Sequence, residues 1–141
     1  MTPEDAVRAL VHRYADAVCR RDTEQWLSCW ATDGQWDLFS RSLKGHDELA
    51  PFFRRAVSRY EAVVQLVHNG VADLDDGSGV GCWYISEHAK QAGADGSLLL
   101  ARYDDRYTCV DGKWLFARRT LIVHYAGPAD LSAPFAPSPS A

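Results

Sequence analysis

The segment LVHNGVADL, residues 66–74, places an ionisable imidazole, His68, inside a mostly apolar run that reads as a β-strand. Two readings stay open at the level of residue type: a structural histidine satisfied by a buried hydrogen bond, or a proton carrier in a pocket. The second has a clear chemistry. An imidazole titrates near pH 6.5, and burial or a neighbouring acid tunes it around neutrality. Loss of water from a cyclic alcohol needs one group to take a C–H proton and another to protonate the leaving hydroxyl, each contributing about 10²–10⁴-fold. Other residues have suitable types. His88, which follows Glu87 at the end of the next strand, is either a solvated edge histidine or a second proton carrier. Tyr14 is either a core tyrosine or a hydroxyl donor to substrate oxygen, and Tyr103, on the same strand face as Ala101, is a second candidate donor. Asp104 and Asp105 are adjacent on a strand and point to opposite faces, so one of them can face inward.

These side chains need elements to hold them. Thr2-Pro3-Glu4-Asp5 is a helix start, with a threonine cap, a proline in the first turn and acids at the positive helix end. Val7, Val11, Tyr14 and Val18 then recur at helical spacing. Arg20-Arg21-Asp22 breaks that stripe. A second helix is expected to carry Trp26, Leu27 and Trp30, Asp33-Gly34 marks a turn, and residues 35–39 read as a short strand. A third helix starts at Lys44-Gly45-His46-Asp47, with Leu49, Phe52, Phe53, Ala56, Val57 and Tyr60 on its apolar side and Pro51 in its first turns.

From residue 62 onward the period becomes that of strands, and Asp111-Gly112 is a strong hairpin turn. Along the first long strand Val64, Leu66 and His68 share one face, and Val63, Val67 and Val71 the other if no bulge intervenes. Helices followed by a long antiparallel meander predict an α+β domain over residues 1–128, with helices on one face of a curved sheet. Residues 129–141 form a Pro/Ser/Ala-rich tail expected to be loose or draped over a neighbour. Several strands are apolar on both faces, so a second subunit is the expected cover for one of them, making a homodimer.

Composition narrows the function classes. The 141 residues carry a formal charge of −4, with 47% apolar and 24% charged residues. Basic residues occur as scattered pairs, not as a stripe, which argues against a nucleic-acid partner. No apolar run is long enough to span a membrane, and the opening residues lack the features of a signal peptide, so a cytoplasmic location is expected. The four cysteines, at 19, 29, 82 and 109, show no metal-ligand spacing and are expected to be free thiols. There is no Gly-rich phosphate loop and no His-Glu-x-x-His motif, so no cofactor or metal is expected. His12, His46 and His124 are assigned to surface or structural roles, and Trp26, Trp30, Trp83 and Trp114 to core or interface.

Five stretches together resemble the SnoaL-like branch of the nuclear transport factor 2-like superfamily. They are RYADAV at 13–18, WLSCWATDGQWDL at 26–38, the helix start at Gly45-x-Asp47-Glu48-Leu49, VHNGVADL at 67–74, and YDDRYTCVDGKWLFARR at 103–119. The resemblance implies a cone-shaped barrel: a strongly bent antiparallel sheet wrapped around the N-terminal helices, enclosing an apolar cavity for a small, largely hydrophobic molecule, with dimers common. It implies acid–base chemistry of dehydratase, isomerase or cyclase type. The fold also hosts non-catalytic modules. Under it, His68 takes the place of the catalytic histidine of scytalone dehydratase and hexachlorocyclohexane dehydrochlorinase, and His88 that of the second histidine of scytalone dehydratase. Tyr14 and Trp36 take cavity-lining places. The carboxylate that partners the histidine in the dehydratases falls on Cys19, which leaves Asp22, one helical turn on, as the substitute acid. A pair formed by His88 with Asp104 or Asp105 is the cyclase-like alternative. Trp36, Phe52, Phe53, Leu66, Tyr103 and Cys19 are then the expected substrate-binding residues.

Overall fold

The computed structural model describes residues 1–137. Helix α1, Pro3–Arg20, begins as the sequence requires: the Thr2 hydroxyl accepts the Asp5 N–H at 3.1 Å, and Pro3 opens the first turn. Val7, Leu10, Val11, Tyr14, Ala17 and Val18 form its buried stripe. The chain leaves α1 through Arg21 in the left-handed region (φ 56°), whose N–H closes onto Ala17 and Val18. Asp22 then caps the short helix α2, Thr23–Ser28, by accepting the Gln25 N–H at 3.0 Å. Trp26 is buried from α2, whereas Trp30 lies beyond its end and opens strand β1, Trp30–Leu38. A two-residue turn leads to β2, Arg41–Lys44, and Gly45 opens α3, His46–Ser58, which buries Leu49, Phe53 and Val57 at four-residue intervals.

Four long strands follow: β3 (Tyr60–Leu74), β4 (Ser78–Gln91), β5 (Gly96–Val110) and β6 (Lys113–Gly127). Six strands form one curled, unclosed sheet in the order β2-β1-β6-β5-β4-β3. The sheet is mixed, not antiparallel throughout as expected: β1 runs parallel to β6, pairing Trp36 with Arg119. The inner face of β4 and β5 carries Trp83, Ile85, Ala101, Tyr103, Asp105 and Tyr107, all buried, and α1 packs against it from β3 to β6.

The ladder breaks between Val67 and Gly70. His68 already faces out in phase with Val64 and Leu66; the bulge adds Asn69 to that outer face and returns Gly70 to the inner one, where a Cβ would sit 2.3 Å from the Trp83 ring. Val71, expected to share a face with Val63 and Val67, is consequently separated from them and 73% exposed. The tail packs on β6: Ala133 N–H reaches the Tyr125 hydroxyl at 3.2 Å, Phe135 lies 4.8 Å from the Tyr125 ring, and Ala136 N–H reaches the His124 carbonyl at 2.8 Å. Residues 138–141 of the predicted tail lie outside the described residues. Among the described residues no helix is long and apolar enough to cross a membrane.

One ion pair sits at the centre of the core. Arg119 Nε and Nη2 donate to the two Asp105 carboxylate oxygens at 2.7 and 3.1 Å, with Arg119 1% and Asp105 3% exposed. Tyr107 donates to the same carboxylate at 2.9 Å and accepts from Trp83 Nε1 at 2.9 Å. The Arg119 guanidinium lies 3.8 Å from the Tyr103 ring centre, 4.1 Å from Phe116 and 4.4 Å from Tyr14. Removing one member of a buried pair strands the other charge. Arg119→Met is therefore expected to lower the unfolding free energy by roughly 3–5 kcal/mol in urea denaturation. Adding Asp105→Asn to that variant should restore part of the loss.

Candidate active site

A cavity of about 200 Å³ opens between α1, α3 and the inner face of the sheet. Val18, Trp36, Phe52, Phe53, Val57, Leu99 and Leu121 give it apolar walls. Its polar groups are few: Tyr14 and Tyr103 from the floor, Tyr60, Gln65 and Glu87 from the β3–β4 side, and Arg41 at the rim. A cavity of about 150 Å³ is enough for a benzene ring, so the space suits a guest built on one ring.

Five of the residues read from the sequence line this cavity: Tyr14, Tyr103, Trp36, Phe52 and Phe53. Five do not. His68 is on the outer face, exposed, with Nε2 2.8 Å from Ser86 Oγ, because β3 turns Val63, Gln65 and Val67 inward and leaves Val64, Leu66 and His68 outside. Leu66 shares that outer face and is 45% exposed. His88 is exposed there too, opposite Val64 and Leu98. Asp22 is engaged as the cap of α2. Cys19 holds the backbone of Gln65, accepting its N–H at 3.2 Å and donating to its carbonyl at 3.4 Å. The alternative pair fails as well. Asp104 lies opposite Cys82, six residues along β4 from His88, or ~20 Å at strand rise. Asp104 meets Arg102 at 3.2 Å, and Asp105 is committed to Arg119.

The dehydratase-like dyad therefore has no counterpart here. The wall residue beside Cys19 is Gln65, three positions before His68, and a carboxamide exchanges no proton near neutral pH. The carboxyl on the cavity wall is that of Glu87. It faces Gln65 directly across the β3–β4 ladder and accepts the Gln65 side-chain N–H at 3.1 Å. Burial pushes the Glu87 carboxyl above the usual range, and the Gln65 hydrogen bond only partly offsets this. The sequence did carry a signal: Glu87 stands in phase with Trp83, Ile85 and Ala89, an acid on the apolar face of its strand.

The phenols are held as neutral donors. Tyr14 and Tyr103 hydroxyls are 3.3 Å apart. Burial raises Tyr14 to about 12 despite the nearby Arg119, and raises Tyr103 well above its ordinary value. Tyr60 is pushed up to about 12 by burial, with Glu87 and Tyr103 adding to the shift. Among the described residues no cluster of His, Cys, Asp and Glu is arranged to hold a metal ion.

Comparison with known proteins agrees with this architecture. The SnoaL-like domain profile matches residues 1–120. The chain belongs to the SnoaL-like domain family. No curated protein matches the sequence. Among solved structures, a protein from Novosphingobium aromaticivorans provisionally described as a scytalone dehydratase superposes with a TM-score of 0.82 at 16% identity, covering 94% of this chain and 89% of that one. Hexachlorocyclohexane dehydrochlorinase (LinA) type 2 gives 0.82 at 20% identity, covering 94% and 92%. The type 3 enzyme from Novosphingobium barchaimii gives 0.80 at 20% identity, covering 95% and 94%. At these identities the likeness is one of fold alone.

Glu87 has a measurable consequence for stability. Its folded-state pKa is raised, so the cavity favours the protonated carboxyl, and the contribution to folding is lost as pH rises through that value. Glu87→Gln mimics the protonated form. It should match the wild type in urea midpoint at pH 4 and exceed it at pH 8. Equal midpoints at both pH values would show that the carboxyl is not in the environment described.

Proposed function

We propose that this protein is a cofactor-independent acid–base enzyme of lyase, isomerase or cyclase type, acting on a small cyclic, mainly apolar metabolite. The reading rests on one observation: Glu87, a part-buried carboxyl with no cationic partner among the described residues, faces the same apolar cavity as two hydrogen-bonded phenols. As carboxylate, Glu87 takes a proton from the carbon next to a substrate carbonyl. Tyr14 and Tyr103 donate to that carbonyl oxygen as it gains negative charge. Donors fixed in a dry site need no reorganisation as the charge develops. Arg119 lies behind both rings and supplies positive potential at their hydroxyls. Protonated Glu87 then returns the proton, either to a departing hydroxyl, giving elimination, or to another carbon, giving isomerisation. A carboxyl raised toward neutrality suits both halves of that cycle.

The test needs no known substrate. One-ring cyclic ketones and β-hydroxyketones incubated with the enzyme in D₂O should take up deuterium next to the carbonyl, followed by NMR. Glu87→Gln should slow this exchange by about 10²-fold or more, and Tyr103→Phe by a smaller factor. His68→Ala should leave it unchanged. Exchange that survives Glu87→Gln, or that disappears with His68→Ala, would reject the assignment. Binding without exchange across the series would favour a ligand-binding module instead.

A further inference from the structure

The far end of the cavity carries a charge that neither the fold nor the proposed chemistry uses. Arg41, at the start of β2, lines the rim and holds its guanidinium 4.9 Å from the centre of the Phe52 ring, itself a cavity wall. No carboxylate lies within ion-pair distance of it among the described residues. The nearby acids are engaged or set apart. Asp37 is held by Arg118 at 2.6 Å and by Gln35, Ser42 and Thr120. Glu48 accepts the Lys44 N–H at 2.9 Å. Asp47 and Glu48 share a separate, open groove on the other side of Arg41.

Beside it, the turn between Leu38 and Arg41 presents Phe39 at the cavity rim, 74% exposed and at φ 51°. A bulky side chain in the left-handed region costs roughly 1–2 kcal/mol, and an exposed aromatic ring forgoes burial as well. Neither cost brings any packing within the chain, but both are offset if the ring covers a bound molecule.

Position completes the case. Arg41 belongs to β2, one edge of the sheet, and Glu87 to β4, four strand spacings away around the curl. Both residues line the same cavity of about 200 Å³, so a guest held there is within the reach of both.

We propose that the substrate is a small cyclic carboxylic acid whose ring fills the cavity and whose carboxylate leaves at the rim to meet Arg41, with Phe39 closing over the ring. This rests on the reading of the cavity as a substrate site but not on Glu87 as the proton carrier. A planar guanidinium fork matches the two oxygens of a carboxylate. One rim cation neutralises one negative charge, which favours a carboxylate over a phosphate monoester. Arg41 is in this sense a specificity residue.

Three one-ring probes test this: benzoate, benzamide and phenyl phosphate, titrated against the full chain by NMR and by quenching of cavity-wall tryptophan fluorescence. Benzoate should bind roughly 3–10-fold tighter than benzamide, and the advantage should shrink in high salt. Arg41→Gln should remove the advantage while leaving benzamide binding in place, which shows that the variant is folded. Phe39→Gly should weaken both probes and raise the melting temperature. The proposal is overturned if benzamide binds as well as benzoate, if Arg41→Gln keeps the preference, if phenyl phosphate binds tighter than benzoate, or if no probe binds. Glu87→Gln should retain the benzoate preference even where it loses deuterium exchange, so the two assignments stand or fall separately.

Discussion

A guanidinium with no access to water must find all of its partners inside the protein, and Arg119 organises the structure around that need. Its fork takes both oxygens of Asp105, and its faces are covered by Tyr14, Tyr103 and Phe116. Asp105 and Arg119 stand opposite each other on β5 and β6, so the pair also fixes their register. Trp36 pairs with Arg119 from β1, which carries the same constraint to the parallel side of the sheet. The two tyrosines that line the cavity floor thus have their rings held by a charge that cannot move away. Such a pair is an expensive way to hold a core together. An apolar replacement of similar volume is often neutral or more stable. Its presence is better explained by what it does for the hydroxyls in front of it.

The two inward acids are set to different tasks by their surroundings. Asp105 is buried against a cation and a phenol, and is fixed as part of the scaffold. Glu87 has an amide for a partner and an apolar cavity in front, and burial raises its pKa. The division here is between a carboxylate that positions donors and a carboxyl that can take and return a proton.

Much of the fold is legible in the sequence because its signals are local. The Thr2 cap, the stripe from Val7 to Val18, the turn at Asp111-Gly112 and the long strands each follow from residues a few positions apart. The parallel pairing of β1 with β6 joins residues some eighty positions apart and leaves no local trace. The site was legible in part for a similar reason. Tyr14, Tyr103, Trp36, Phe52 and Phe53 keep the expected phase of their elements. His68 does not, because the face of β3 that turns inward is that of Val63, Gln65 and Val67, which leaves Val64, Leu66 and His68 outside before the bulge after Val67 adds Asn69 to them. Asp22 reads equally well as an acid or as a helix cap, and only the geometry of α2 decides between them. Glu87 shares the inward phase of Trp83 and Ile85, but a strand-end acid beside a histidine reads equally well as solvated.

The sheet never closes on itself; β2 and β3 remain free edges at opposite flanks. No backbone ladder therefore sets the width of the cavity. That width comes from side chains of α1 and α3, among them Val18, Phe53, Ala56 and Val57. A larger residue at Ala56 would shrink the space while every strand kept its hydrogen bonds. The hollow can be resized one side chain at a time under an unchanged frame, which gives such a scaffold latitude to exchange one small molecule for another during its descent.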